Sequence, residues 1–207
     1  MSEKKSSSRE RIIEAAVWLF YGNGYHATGV AEILKKAKVN SGSFYFFFKS
    51  KEELLLAVLD WYLENLEPIL IRPVYEATSD PVERIFELLE GYKRRILATK
   101  FDYTCPIGRL ALEIDPTRRD VHAKIAANFR GWTEAVKRCL EDAGKRIPPG
   151  TDREALAKFV LTVMEGGVMQ SRSHKSLAPF DASVEHLRQY FRFLEQSKDF
   201  PLGQMKT

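Results

Sequence analysis

Apolar residues recur at intervals of three and four along almost the whole chain of 207 residues, and nowhere do they alternate with period two for long. Such a pattern folds into helices and little else, and the breaks are as informative as the stripes. Ile12, Ile13, Ala16, Val17, Leu19 and Phe20 form a first stripe, ended by Gly22 and Gly24. Thr28 is an N-cap candidate for a short second helix holding Val30, Ile33 and Leu34, and Asn40 or Ser41 for a third through Phe44 and Phe47. Ser50-Lys51-Glu52-Glu53 reads as a capping box that opens a fourth helix, stopped near Pro68. Asp80-Pro81-Val82-Glu83 starts the next, Pro106 another, and a long helix runs from about 118 to 143. Pro148-Pro149-Gly150 is a firm break. Thr151-Asp152-Arg153-Glu154 then caps a helix to about His174, and Asp181 the last one. The expected fold is all-α, with about nine helices between a polar arm at Ser2–Ser8 and a disordered tail after Pro201.

Composition removes several classes. The apolar share of 44% suits a globular core, while no apolar run is long enough to span a bilayer. The polar, charged start lacks a signal-peptide pattern, so a cytoplasmic location is expected. Two cysteines, Cys105 and Cys139, make no disulfide framework and have no metal-ligand spacing with any histidine, so no metal or cofactor is expected. Charge is unevenly spread. Residues 1–51 hold nine Lys and Arg against four acids, whereas the other 156 residues hold 23 basic and 24 acidic ones. The whole positive excess therefore lies in the first quarter, as for a polyanion-binding segment.

That segment also carries the most specific motif. A short helix, a tight turn at Lys38-Val39 and a second short helix make a helix-turn-helix, which presents a helix N-terminus to the major groove. Its DNA-facing candidates are Thr28, Lys38, Asn40, Ser41, Gly42, Ser43, Tyr45, Phe46 and Lys51. Thr28 and Asn40 mark helix ends whose N–H groups suit phosphate, and Gly42 permits close approach. Ser41 and Ser43 can meet base edges, while Tyr45 and Lys51 can reach phosphates. Phe44, Phe47 and Phe48 read as core.

The runs Arg11 to Phe20 (RIIEAAVWLF), Thr28-Gly29-Val30-Ala31-Glu32-Ile33 and Val39 to Leu54 (VNSGSFYFFFKSKEEL) resemble the N-terminal signature of the TetR family of transcriptional regulators. The resemblance covers about the first third of the chain. It implies a helix-turn-helix DNA-binding domain at residues 1–51 and a helical effector-binding and dimerisation domain at 52–207. It also implies a homodimer on a palindromic double-stranded operator, released by a small-molecule inducer. Two departures stand out. Lys38 occupies the turn position where the family usually has Gly, and Phe46 stands where a polar residue is common.

The second part is read more coarsely. Phe101, Tyr103, Cys105, Phe129, Trp132, Met164, Met169 and His174 are the ligand-pocket candidates. Cys105 precedes Pro106 at an expected helix start, where the dipole favours thiolate. A redox- or electrophile-sensing regulator is therefore one alternative, with Lys175 as a cationic neighbour. Leu156, Phe159, Val160, Val163 and Gly167, with Val184, Leu187, Phe191 and Leu194, form two stripes on the last two helices and are the expected dimer interface. An architectural DNA-binding protein without a ligand is the other alternative. An enzyme is not expected: no phosphate loop, zinc spacing or nucleophile elbow is present, and Cys105 with His122 or His174 has no local signature.

Overall fold

The computed structural model describes residues 7–197. The expectations of a frayed arm and a disordered tail fall on residues almost wholly outside that range. Among the described residues the fold is all-α, with ten α-helices and no strand. They are α1 (Ser8–Asn23), α2 (Val30–Ala37), α3 (Ser41–Phe47), α4 (Lys51–Glu64), α5 (Arg72–Ala77), α6 (Pro81–Ala98), α7 (Pro106–Glu113), α8 (Arg119–Asp142), α9 (Arg153–His174) and α10 (Ala178–Gln196).

The extra helix arises at Pro68. The expected stop becomes a π-helical turn, Glu67–Ile71, followed directly by α5. A proline at the start of a turn lacks only an N–H that would be unpaired anyway, so it redirects the chain without ending it. Pro179 behaves likewise. It lies in the first turn of α10, which therefore begins at Ala178, and Asp181 pairs with Lys93 at 2.8 Å instead of capping.

The chain divides into two compact units, each drawn from two stretches of sequence. One unit comprises the residues up to Glu64 together with Pro106–Phe129; the other comprises Asn65–Cys105 and the residues from Arg130 on. In the first, Ile12, Ala16, Phe20, Ile33, Phe44, Leu54, Leu55 and Val58 are buried, from helices α1 to α4. Helix α7 is keyed onto this head by polar contacts. Arg109 donates to the carbonyls of Tyr21 (3.0 Å) and Gly22 (3.3 Å), and its partner Glu113 accepts the Tyr25 N–H at 2.7 Å. His26 Nε2 meets the Glu113 carbonyl oxygen at 2.8 Å. The start of α8 is fixed to α4 by the Lys124–Asp60 ion pair and by Asn128, which donates to the Leu59 carbonyl at 3.0 Å.

In the second unit α6, α9 and α10 enclose Ile85, Phe86, Leu89, Val160, Met164, Phe180, Leu187, Phe191 and Leu194. Phe86 and Phe191 meet edge to face at 5.4 Å. Gly167 sets the approach of α9 and α10, because a Cβ there would lie 2.7 Å from Phe180 Cδ2. Arg146 ties the connections together through Asp80 (2.8 Å) and Glu195 (2.7 Å).

Candidate DNA-reading face and effector core

The local chemistry of residues 28–51 differs from the sequence expectation in two places. Thr28 is not the cap of α2. Its side chain is buried and donates to the Gly24 carbonyl at 2.7 Å, which closes the α1–α2 loop. Gly29 takes the cap position, with its N–H donating to the Glu32 carboxylate at 3.0 Å. Lys51 is also turned inward. Its ammonium donates to the carbonyls of Tyr25 and Thr28, both at 3.0 Å, and lies 4.3 Å from the Tyr25 ring centre. Sequence shows a lysine at a helix start; it does not show that two carbonyls from the preceding loop converge there. Lys51 is thus a structural pin beneath α2. Tyr25 is itself held tightly: burial first, and then the neighbouring Glu52 carboxylate, push its phenol up to about 12.

The turn itself agrees with expectation. Lys38 is left-handed (φ 55°, ψ 48°), a conformation that costs a non-glycine residue about 1 kcal/mol. Asn40 caps α3 by accepting the Ser43 N–H at 2.8 Å. Beyond that cap, α3 shows two faces. Phe44 and Phe48 are buried and Phe47 half-buried, as expected for core. On the opposite side Ser41 and Gly42 are exposed, Tyr45 is 61% exposed and Phe46 82%. Lys35, Lys36, Lys38 and Lys49 are exposed on the adjoining elements, with Lys36 6.0 Å from the centre of the exposed Trp18 ring. A short helix that leaves a phenylalanine almost wholly in water, flanked by lysines and small hydroxyl residues, fits a nucleic-acid surface and not a protein core.

In the second unit, three of the pocket candidates come together around a residue the sequence reading passed over. Tyr92 on α6 is buried and its hydroxyl accepts the Trp132 indole N–H at 3.0 Å. Tyr103 packs on it at 6.1 Å between ring centres. The Cys105 thiol hydrogen-bonds the Glu165 carboxyl. One oxygen of Glu165 is buried without a hydrogen-bond partner. Burial pushes that carboxyl above its usual range, and the thiol contact offsets part of the rise. The signal for Glu165 was a lone acid in the apolar run Leu161–Met169. Met164 is buried nearby on the same helix and Phe101 is half-buried, whereas Met169 (60% exposed) and His174 face solvent. Phe129 belongs to the first unit. Lys175 pairs with Asp102 at 2.6 Å rather than with Cys105. Cys139 is core, its thiol raised by burial.

The residues expected at the dimer interface divide between the chain's own core and its surface. Leu156, Val160, Gly167, Leu187, Phe191 and Leu194 are buried in the chain's own core, with Val163 and Val184 half-buried. Phe159 (48%), Met169, Tyr190 (42%) and Phe193 (56%) are the large exposed apolar residues of α9 and α10, and Phe159 meets Tyr190 edge to face.

Comparison with known proteins agrees with this geometry. Residues 12–58 match the family model of bacterial regulatory proteins of the TetR family, and residues 81–186 match the C-terminal domain of LmrA/YxaF-like transcriptional regulators. The chain belongs to the TetR family. It is 33% identical to the uncharacterised regulator YxaF of Bacillus subtilis, over 88% of this chain and 94% of that protein. It is 26% identical to the transcriptional repressor DhaR of a Mycobacterium species, over 84% and 86% of the two chains. The fold matches a TetR regulatory protein from Rhodobacter sphaeroides with a TM-score of 0.77, at 23% identity, over 90% and 98%. As a TetR-family member the chain is a DNA-binding transcriptional regulator of the helix-turn-helix type, not an enzyme. No helix among the described residues is long and apolar enough to cross a membrane.

Proposed function

We propose that this TetR-family regulator is a homodimeric repressor that reads a palindromic operator through Lys38, Asn40, Ser41, Gly42, Ser43, Tyr45 and Phe46, and that a small-molecule effector releases it. The observation that carries the reading is the outward face of α3, where Tyr45 and Phe46 are exposed beside a helix N-terminus capped by Asn40. Ser41 and Ser43 offer hydroxyls for base edges, Tyr45 a hydroxyl for phosphate, and Phe46 an apolar surface for a thymine methyl. Lys38 supplies charge at the turn. Exposed Phe159, Met169, Tyr190 and Phe193 support a twofold interface on the outer faces of α9 and α10. The effector reading rests on the buried Tyr92–Tyr103–Trp132 cluster and on the Glu165 carboxyl whose charge Tyr92 feels. The test is footprinting of the full chain on genomic fragments, followed by anisotropy on the protected site with Ser43→Ala and Phe46→Ala. Binding that ignores sequence, or that survives both changes intact, sinks the reading.

The Cys105–Glu165 contact favours a second reading in which a reactive electrophile is the effector. The thiol would add its sulfur to the electrophile while Glu165 takes the proton. Thiol titration by mass spectrometry tests it: Cys105 must react before Cys139, and Cys105→Ser must hold the operator when wild type lets go.

A further inference from the structure

Apart from the face and core described above, the second unit carries a groove of about 370 Å³ between the π-helical turn with α5 and helix α6. That volume lies in the lower part of the range usual for small-molecule sites, about 300–1,000 Å³. The walls are apolar, from Ile69, Leu70, Val74 and Leu88, and Ile69 remains 46% exposed. The π-helical turn shapes one of them; such turns inside helices are frequent at binding sites.

The polar lining is asymmetric. Arg94 is committed to Glu87 at 2.7 Å, so those two charges cancel at the rim. Arg95 is half-buried and has no carboxylate partner among the described residues. Its Nη1 donates to the Gly91 carbonyl at 3.1 Å, and the guanidinium lies 5.7 Å from the Tyr92 ring centre. Gly91 makes this possible: a Cβ there would meet Arg95 Nη1 at 3.3 Å, tighter than ordinary contact. A guanidinium has five N–H donors, so this one keeps most of them for a ligand.

We propose that the groove between α5 and α6 binds a small amphiphilic carboxylate, with its carboxylate on Arg95 and its apolar tail along Ile69, Leu70, Val74 and Leu88. An uncompensated guanidinium beside an apolar wall selects for such a molecule over a neutral or cationic amphiphile of the same length. Carboxylate and guanidinium form paired, charge-assisted hydrogen bonds, and the tail covers surface now in water.

The experiment is calorimetric titration of the full chain with octanoate, 1-octanol and octyltrimethylammonium. Octanoate is expected to saturate at one molecule per chain and to bind about tenfold or more tighter than octanol. Arg95→Gln should bring octanoate down to the affinity of octanol. Ala98→Trp, at an exposed lining position, should fill the groove and abolish binding of both. Thermal melts confirm that each variant folds. No saturation by octanoate, equal affinity for the three head groups, preference for the cation, or unchanged binding in Ala98→Trp each overturns the proposal.

Discussion

The Lys51 ammonium and Tyr25 are joined twice over, by a 3.0 Å hydrogen bond to the backbone carbonyl and by a 4.3 Å approach to the side-chain ring. The joint fixes the loop that delivers α2. Lys51→Met should therefore cost about 1–3 kcal/mol of stability in denaturant titration, the cost of leaving buried carbonyls unpaired. Operator affinity should fall while the slope of log K against log salt stays at the wild-type value, because no phosphate contact is lost. A slope reduced by about one would return Lys51 to the phosphate backbone.

Lys38 holds a left-handed turn that glycine occupies without strain. Lys38→Gly should raise stability by about 1 kcal/mol. The same variant should bind DNA with a flatter salt dependence, by about one counterion, which anisotropy at several salt concentrations measures.

Phe46, 82% exposed, contributes little to the fold. Phe46→Ala should leave the unfolding midpoint within about 0.5 kcal/mol of wild type. It should weaken the operator complex about tenfold, since the ring loses surface that DNA would cover. Non-specific binding should change far less.

Phe159 and Phe193 lie outside the core of the second unit, while Leu187 lies inside it. Phe159→Glu with Phe193→Glu should yield folded monomers in sedimentation velocity. Leu187→Glu should instead yield unfolded or aggregated chain. A dimer that survives the double change places the twofold interface elsewhere.

Glu165 has its carboxyl raised by burial. A carboxyl raised on folding gives stability that is present in acid and lost as pH climbs through its titration, so the ionised form is a burden at neutral pH. Glu165→Gln should therefore melt higher than wild type near about pH 7, and the gap should close towards about pH 4, where wild type is protonated. Equal melting curves across that interval would mean that Glu165 ionises freely.

Much of the head was legible because its signals are local. Asn40 as cap, Lys38 in the left-handed turn and the buried Phe44 and Phe48 all depend on neighbours a few residues away. The inward turns of Thr28 and Lys51 were not legible, since their partners are carbonyls whose direction only the folded loop defines. Glu165 was passed over for a similar reason: its thiol neighbour is sixty residues earlier in the chain. On α9 and α10 apolar residues occur on both faces, so periodicity alone did not say which of them pack inside the chain; burial puts Leu156, Val160, Leu187, Phe191 and Leu194 there and leaves Phe159 outside.

The Arg109–Glu113 pair has a consequence for how this regulator can be rebuilt. It holds the end of α1 and the loop to α2 from a helix that lies more than eighty residues later in the sequence. The reading head is therefore not a cassette. A chimaera that splices residues 1–51 onto a foreign sensor would carry α2 and α3 but leave Tyr21, Gly22 and Tyr25 facing another protein's α7. Exchange of operator specificity between relatives should succeed where the graft brings Arg109 and Glu113 with it, and recombination that separates the two stretches should yield heads that fold poorly.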